Sequence, residues 1–136
     1  MIMPILAVSD MNASLDFYVG KLGWTKTFSM PGEDGQDMFA IVSMNQGVTF
    51  GLSAMGAPEP RGTGVVFMSY VAPEADIDEY YAVCQGNGAT IAQEIKNEYW
   101  GDRCFGVTDP DGYYHNICKT VEAKSPEEIL ASHSQN

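Results

Sequence analysis

The sequence predicts a small α+β domain built from two βαβββ modules. The first observation is the order of hydrophobic spacings, which indicates a strand, a helix and three strands, and then the same series again. The second is an internal echo at a constant offset along the two predicted helices. The matching residues are Leu15 with Ile77, Asp16 with Asp78, and Tyr18 with Tyr80.

The first module, residues 1–57, begins with a strand over residues 4–8. Ser9 or Asp10 caps a helix that runs to about Leu22, where Gly23 ends it. Three strands follow over residues 24–30, 38–44 and 48–55, joined by turn residues 31–35 and a hairpin at 45–47. The apolar stripe predicted to face inward from the helix consists of Met11, Leu15, Tyr18, Val19 and Leu22.

The second module, residues 63–122, follows a Pro- and Gly-containing linker over residues 57–62. A strand over residues 65–71 leads to a helix near residues 76–85, and three strands follow over 90–98, 103–108 and 113–119. The residues predicted to face inward from this helix are Ile77, Tyr80, Tyr81 and Cys84. Residues 123–136 form a short C-terminal helix, capped by Ser125 and ending near Ser132, and then a frayed tail.

Composition restricts the partners of this domain. The 136-residue chain carries a formal charge of -11, which repels phosphate backbones and anionic lipids, so neither nucleic acid nor membrane is expected as a partner. The apolar start is too short for a signal peptide, and the three cysteines lack metal-type spacing. We therefore expect a cytoplasmic protein with reduced thiols.

Two segments resemble a known family. Asp10 is followed by S-x-x-F-Y-x-x-x-L-G over residues 14–23, and residues 100–112 read W-G-x-R-x-F-x-V-x-D-P-D-G. Both patterns resemble the vicinal oxygen chelate superfamily, which includes glyoxalases, bleomycin resistance proteins and ring-cleaving dioxygenases. The resemblance covers Met3 to about Lys119. It implies two βαβββ modules that form curved mixed sheets around a cleft. It also implies a homodimer in which each cleft is commonly shared between the chains.

The resemblance also implies four metal-ligand positions, and here the chain departs from the family. The equivalent residues are Met3, Gly51, Val66 (or its neighbour Val65) and Asn116. None offers a carboxylate or an imidazole, which the metals of such sites require, so we predict no metal and no other cofactor. His115 lies next to the last position and is the one nearby residue that could bind a metal. Strand alternation turns it toward the opposite face, so we expect it to be buried or packed against a helix and not to be a ligand.

Strand alternation and the resemblance together predict a ligand-binding cleft. The predicted ligand-binding residues are Thr49, Gly51, Met68, Tyr70, Trp100, Arg103, Tyr114 and Asn116. Arg103 has two possible roles, since its guanidinium can hold a ligand carboxylate or pair with Asp102, Asp109 or Asp111. The pairing role is the one we expect.

Three functions follow from these observations. The first is a binding protein that sequesters a flat apolar or cationic small molecule, as bleomycin resistance proteins do. The second is a metal-dependent lyase, isomerase or dioxygenase, which the four ligand positions oppose. The third is an enzyme that works without metal, or with an atypical metal site, and uses Tyr114, His115 or Glu98 as an acid or base.

Overall fold

The computed structural model describes residues 2–54 and 62–134 and confirms the two-module α+β fold. Residue 55 and most of the predicted linker lie outside this part of the chain. No helix of the described residues has the length and apolar character needed to cross a membrane. The strands are β1 Ile5–Ala7, β2 Thr25–Pro31, β3 Asp37–Asn45, β4 Val48–Ser53, β5 Val66–Tyr70, β6 Ile91–Asn97, β7 Asp102–Thr108 and β8 Tyr114–Thr120. The helices are α1 Met11–Leu15, which continues as a π-helix over Asp16–Lys21, α2 Ile77–Gly86 and α3 Pro126–Ser134.

Each module forms one four-stranded mixed sheet. The first sheet has the strand order β1-β4-β3-β2, and the second has the matching order β5-β8-β7-β6. The first strand of each module runs parallel to the last, and the other neighbours are antiparallel. This equivalence is what duplication of one βαβββ unit predicts.

The first helix begins as expected and then changes its winding. The Asp10 carboxylate accepts a hydrogen bond from the backbone N–H of Ala13, which satisfies a free donor of the first turn. The wider π-helical turn over Asp16–Lys21 then shifts the inward-facing positions. Phe17 is consequently buried, whereas Val19 is 38% exposed, so its predicted place in the apolar stripe is wrong.

The two family-like segments are in direct contact inside the fold. The Asp109 carboxylate accepts hydrogen bonds from the backbone N–H groups of Asp111 and Tyr113, at 2.9 and 2.8 Å. Its other oxygen accepts the Tyr18 hydroxyl proton at 2.7 Å. The backbone N–H of Ser9 donates to Asp111. The D-P-D-G turn therefore fastens the second module to helix α1.

Each sheet has an inner face packed in a shared core and an opposite outer face. On the inner face of the second sheet, Phe67 and His115 contact Phe50 of the first sheet. We call the opposite side the outer face of the second sheet. It carries Val66, Met68 and Tyr70 on β5, Tyr114, Asn116 and Cys118 on β8, and Asp102, Cys104 and Gly106 on β7.

Candidate ligand-binding site on the second sheet

The outer face of the second sheet brings several predicted ligand-binding residues together. Parallel pairing of β5 with β8 places Met68 beside Asn116 and Val66 beside Tyr114. Val66, Met68 and Tyr70 are 62%, 44% and 41% exposed, so strand β5 offers an apolar surface to solvent. This pairing explains why alternation along single strands correctly grouped residues that are far apart in sequence.

Two aromatic residues at one end of this face share a buried carboxylate. The Tyr70 hydroxyl and the Trp100 indole N–H both donate to Oδ2 of Asp102, at 2.6 and 2.8 Å. The hydrogen bond to Asp102, aided by burial, raises the pKa of Tyr70, so its hydroxyl stays protonated at neutral pH. Asp102 thus fixes the orientation of both rings.

Asn116 occupies the centre of the face and has spare hydrogen-bonding capacity. Its Nδ2 lies 3.4 Å from the Met68 sulfur, which is a weak acceptor. Its Oδ1 is buried and has no hydrogen-bond partner within the described residues. A buried unpaired acceptor is costly, so turning the amide toward a bound molecule would gain a hydrogen bond.

Tyr114 supplies a neutral hydroxyl beside the same surface. Its ring lies over Gly106, where any larger residue would collide with the phenol. Burial, and then the negative charge of Glu98, raise the pKa of Tyr114. The Glu98 carboxylate itself accepts a hydrogen bond from the Gln93 amide at 3.0 Å.

Cys104 and Cys118 form a buried cross-strand pair on this face, with sulfur atoms 2.6 Å apart. Alternation from Asn116 predicts that Cys118 faces the cleft, but Cys104 and Asp102 are not among the residues predicted for the site. The sequence did carry a signal for Cys104, because the turn at residues 109–112 sets the register of β7 against β8. Pairing outward from that hairpin places Cys104 opposite Cys118.

Thr49 and Gly51 lie on the first sheet and not on this face. The Thr49 hydroxyl donates to Ser43 at 3.1 Å. A cavity of about 240 Å³ is lined by Thr49 together with Val66 and Met68, so Thr49 borders the site at the junction of the two sheets. A larger cavity of about 720 Å³ is lined by the β2–β3 turn, and none of the predicted site residues contributes to it.

Arg103 is separated from the other predicted site residues. It follows Asp102 in β7, and alternation turns its side chain to the opposite face, toward helix α2. There its guanidinium donates to the Asp78 carboxylate, with a shortest distance of 2.7 Å, and to Asn97 at 3.0 Å. Arg103 therefore forms an ion pair, as expected. Its partner is Asp78, so the expected partners Asp102, Asp109 and Asp111 are wrong.

The residues at the four family metal positions do not fit a divalent ion. Gly51 has no side chain, and a Cβ there would lie 3.0 Å from the Phe39 ring and 3.2 Å from Ile5. Strand pairing sets Ile5 beside Gly51 and Met68 beside Asn116. These neighbours add one thioether and no carboxylate or imidazole, which is a poor donor set for such a metal.

His115 is buried against helix α1, which confirms the prediction that it faces the core. The Tyr18 hydroxyl gives its single proton to Asp109, so it accepts a hydrogen bond from His115 Nε2–H at 2.8 Å. Nδ1 is left as an acceptor without a partner among the described residues. Burial lowers the pKa of His115 to about 4, so the imidazole is neutral and unavailable to a ligand on the outer face.

Comparison with known proteins gives a consistent result. Residues 2–117 match the family model described as glyoxalase/bleomycin resistance protein/dioxygenase superfamily. An uncharacterized protein of Mycobacterium bovis is 28% identical over 141 residues, covering 96% of this chain and 90% of that protein. An uncharacterized protein of Mycobacterium tuberculosis is also 28% identical, with 81% of its length covered.

Solved structures show the same fold at low sequence identity. The crystal structure of TioX from Micromonospora sp. ML1 superposes with a TM-score of 0.69 at 21% identity, covering 92% of this chain and 99% of that one. A glyoxalase/bleomycin resistance protein/dioxygenase from Nocardioides superposes with a TM-score of 0.66 at 23% identity, covering 93% and 87%. At these identities the likeness concerns the fold alone.

Proposed function

The chain belongs to the glyoxalase/bleomycin resistance protein/dioxygenase superfamily, and from this membership we propose that it is a small-molecule-binding protein without metal at the family's ligand positions. The proposed ligand is a flat, mostly apolar compound, neutral or cationic, that lies on the outer face of the second sheet. The single observation behind this proposal is the exposed grouping of Met68 and Tyr70 beside Asn116.

The chemistry of this face favours flat apolar molecules. Burying exposed Val66, Met68 and the Tyr70 ring releases water from apolar surface, and a well-placed aromatic pair adds about 0.5–1.5 kcal/mol. Asn116 Oδ1 has no partner among the described residues and would accept a hydrogen bond once the amide turns toward the ligand, and the Tyr114 hydroxyl is neutral. Both groups orient a heterocycle or an amide without requiring a charge.

The charge distribution favours cations over anions. The chain carries a formal charge of -11, and the Asp102 carboxylate lies on the proposed binding face. Arg103, the cation of the second family-like segment, is held on the opposite face by Asp78. The field of the protein therefore concentrates cations near the site, an effect that salt weakens.

A second copy of the chain is the proposed source of the other wall of the cleft. Apolar residues are exposed on both sheets, including Ile5 and Phe28 on the first and Val66 on the second, at 59%, 50% and 62%. A sheet buries both faces only when another layer covers the open one. Pairing across a homodimer would cover these faces and enclose the ligand.

An enzymatic function has less support in this structure. His115 is directed into the core and engaged by Tyr18, so it cannot reach a substrate on the outer face. Tyr114 and Glu98 are the remaining acid–base candidates of the sequence analysis. Glu98 is engaged by Gln93 and Lys96. Neither residue is paired with a nucleophile or an oriented base in the described structure.

The test is a thermal-shift screen of flat cationic, neutral and anionic compounds at low and high salt, with the wild type and Tyr70→Ala. We expect cationic and neutral compounds to raise the melting temperature, and Tyr70→Ala to weaken this effect about tenfold in apparent affinity, since truncating a buried aromatic anchor costs about 1–2 kcal/mol. Val83→Ala, which removes an exposed apolar residue of helix α2, is the matched control. Preferential binding of anions, or equal losses in both variants, would show that the site is elsewhere.

A further inference from the structure

Three metal-ligating side chains meet on the outer face of the second sheet, away from the family's four positions. A carboxylate oxygen of Asp102 and the sulfur atoms of Cys104 and Cys118 all lie within 4.8 Å of one another. All three residues are buried. None of these three residues is at a family ligand position, and the cysteines lack metal-type spacing in the sequence. Pairing of β7 with β8 brings Cys104 and Cys118 together.

Asp102 is the first reason to consider a cation here. Its side chain is 4% exposed, and it accepts hydrogen bonds from two neutral donors, Tyr70 and Trp100. Within residues 2–54 and 62–134, no lysine, arginine or histidine forms an ion pair with it. A carboxylate removed from water is normally paired with a cation or bound to a metal.

The strand geometry is the second reason. The backbone N–H groups of Asp109 and Val121 donate to Tyr113 and Gly101, which identifies the hydrogen-bonded pairs of the β7–β8 ladder. Counting along the ladder makes Cys104 and Cys118 a pair without backbone hydrogen bonds between them. Side chains approach most closely at such pairs, so the backbone geometry places the two thiols next to each other.

We propose that Asp102, Cys104 and Cys118 bind a thiophilic divalent cation of the zinc class. Two thiolates and one carboxylate form a donor set that zinc accepts, and hard ions such as magnesium do not favour it. Tyr70 and Trp100 hold the carboxylate in place through the oxygen that they share. Partners of this kind orient metal ligands in known sites. On the same face, Tyr70 pairs with Cys118, and Met68 pairs with Asn116 two residues away.

Binding requires two changes at the cysteines. With zinc–sulfur bonds of about 2.3 Å, tetrahedral geometry sets the two sulfurs about 3.8 Å apart, so side-chain rotation must separate them from their present 2.6 Å. Each thiol also releases its proton when its sulfur binds the ion. Apparent affinity should therefore rise with pH.

The test uses cobalt(II) as the probe on the full-length, reduced and chelator-treated protein. We expect one cobalt per chain and the thiolate-to-cobalt absorption of a tetrahedral site. Competition with zinc should abolish this absorption. Cys104→Ser should lose the thiolate band and at least tenfold in affinity. Cys84→Ser, which alters a buried cysteine of helix α2 outside the cluster, should change neither.

A milder variant separates loss of the site from loss of the fold. Tyr70→Phe keeps the ring and removes only the hydrogen bond to Asp102, and we expect it to weaken cobalt binding about tenfold with an unchanged circular dichroism spectrum. The proposal is overturned if cobalt gives no thiolate band, if Cys84→Ser reduces it as much as Cys104→Ser, or if a disulfide between Cys104 and Cys118 persists after treatment with reductant. The proposed ligand screen is run with chelator present, so its outcome is independent of this one.

Discussion

Replacing His115 should remove a large part of the acid sensitivity of this protein. The imidazole is fully buried, donates from Nε2 to Tyr18, and has no partner at Nδ1 among the described residues. Protonation would place a charge and an unpaired N–H donor inside the aromatic core formed by Trp24, Phe50 and Phe67. Burial accordingly lowers the pKa of His115 to about 4, from 6.5 in an unfolded chain.

The lowered pKa fixes both the direction and the size of the effect. Between pH 6.5 and about 4 the unfolded chain binds the proton and the folded chain does not, so the free energy of unfolding falls as the pH falls. The full shift corresponds to roughly 3 kcal/mol, and the part lost between about pH 7.5 and about pH 5 is about 2 kcal/mol. The contribution of the neutral His115 to the free energy of unfolding is fully present above pH 6.5, the pKa of His115 in the unfolded chain.

Two other effects oppose this loss, so a comparison of variants is needed. Burial raises the pKa of Asp109, which therefore takes up a proton earlier in the folded state and stabilises the fold as the pH falls. Protonation of surface carboxylates also relieves the repulsion of a chain with a formal charge of -11. His115→Gln retains an N–H donor for Tyr18 but cannot titrate in this range.

The assay is urea unfolding followed by tryptophan fluorescence at a fixed protein concentration, at about pH 7.5 and about pH 5. From about pH 7.5 to about pH 5, the free energy of unfolding should fall by about 2 kcal/mol more in the wild type than in His115→Gln. His133→Gln, which replaces the other histidine of the chain in the exposed helix α3, should behave like the wild type. Equal pH dependence in the wild type and His115→Gln would refute a buried, neutral imidazole.

Three further predictions test other parts of the structure. Arg103→Ala should leave ligand-induced thermal shifts unchanged, because Asp78 holds the guanidinium on the face opposite the site; loss of binding would contradict this placement. Gly106→Ala should destabilise the protein by about 1–3 kcal/mol in urea unfolding, since the added methyl group must displace the Tyr114 ring, and an unchanged midpoint would be inconsistent with that contact. Light scattering should give about twice the 14.8 kDa chain mass, and a monomer at micromolar concentration would exclude the proposed dimer.

Local features of the sequence were sufficient to predict the order of the secondary structure. Helix caps such as Asp10, turn residues and hydrophobic spacing act over a few neighbouring positions, and helix α1 begins where these signals place it. The π-helical turn was not predicted, because its hydrogen bonds, such as the one from Leu22 N–H to the Phe17 carbonyl, arise from how α1 packs and not from a distinctive residue.

Part of the candidate site could also be predicted from alternation along each strand. Tyr114, Asn116 and Cys118 share a face because successive side chains of a strand point in opposite directions. The same rule placed Met68 and Tyr70 together on β5. Which strands are neighbours, and in which register, depends on backbone pairing between distant segments. Those neighbours could be predicted only through the family resemblance.

By itself, the sequence determined two duplicated modules, their helices and strands, and the absence of ligating side chains at the four family positions. Only the tertiary structure decided that Arg103 pairs with Asp78, that Tyr18 joins His115 to Asp109, and that Asp102, Cys104 and Cys118 meet beneath Tyr70. The physical reason is that spacing and caps are local, whereas side-chain partners are set by packing between elements far apart in the chain. A single sequence does not encode those distances in any local pattern.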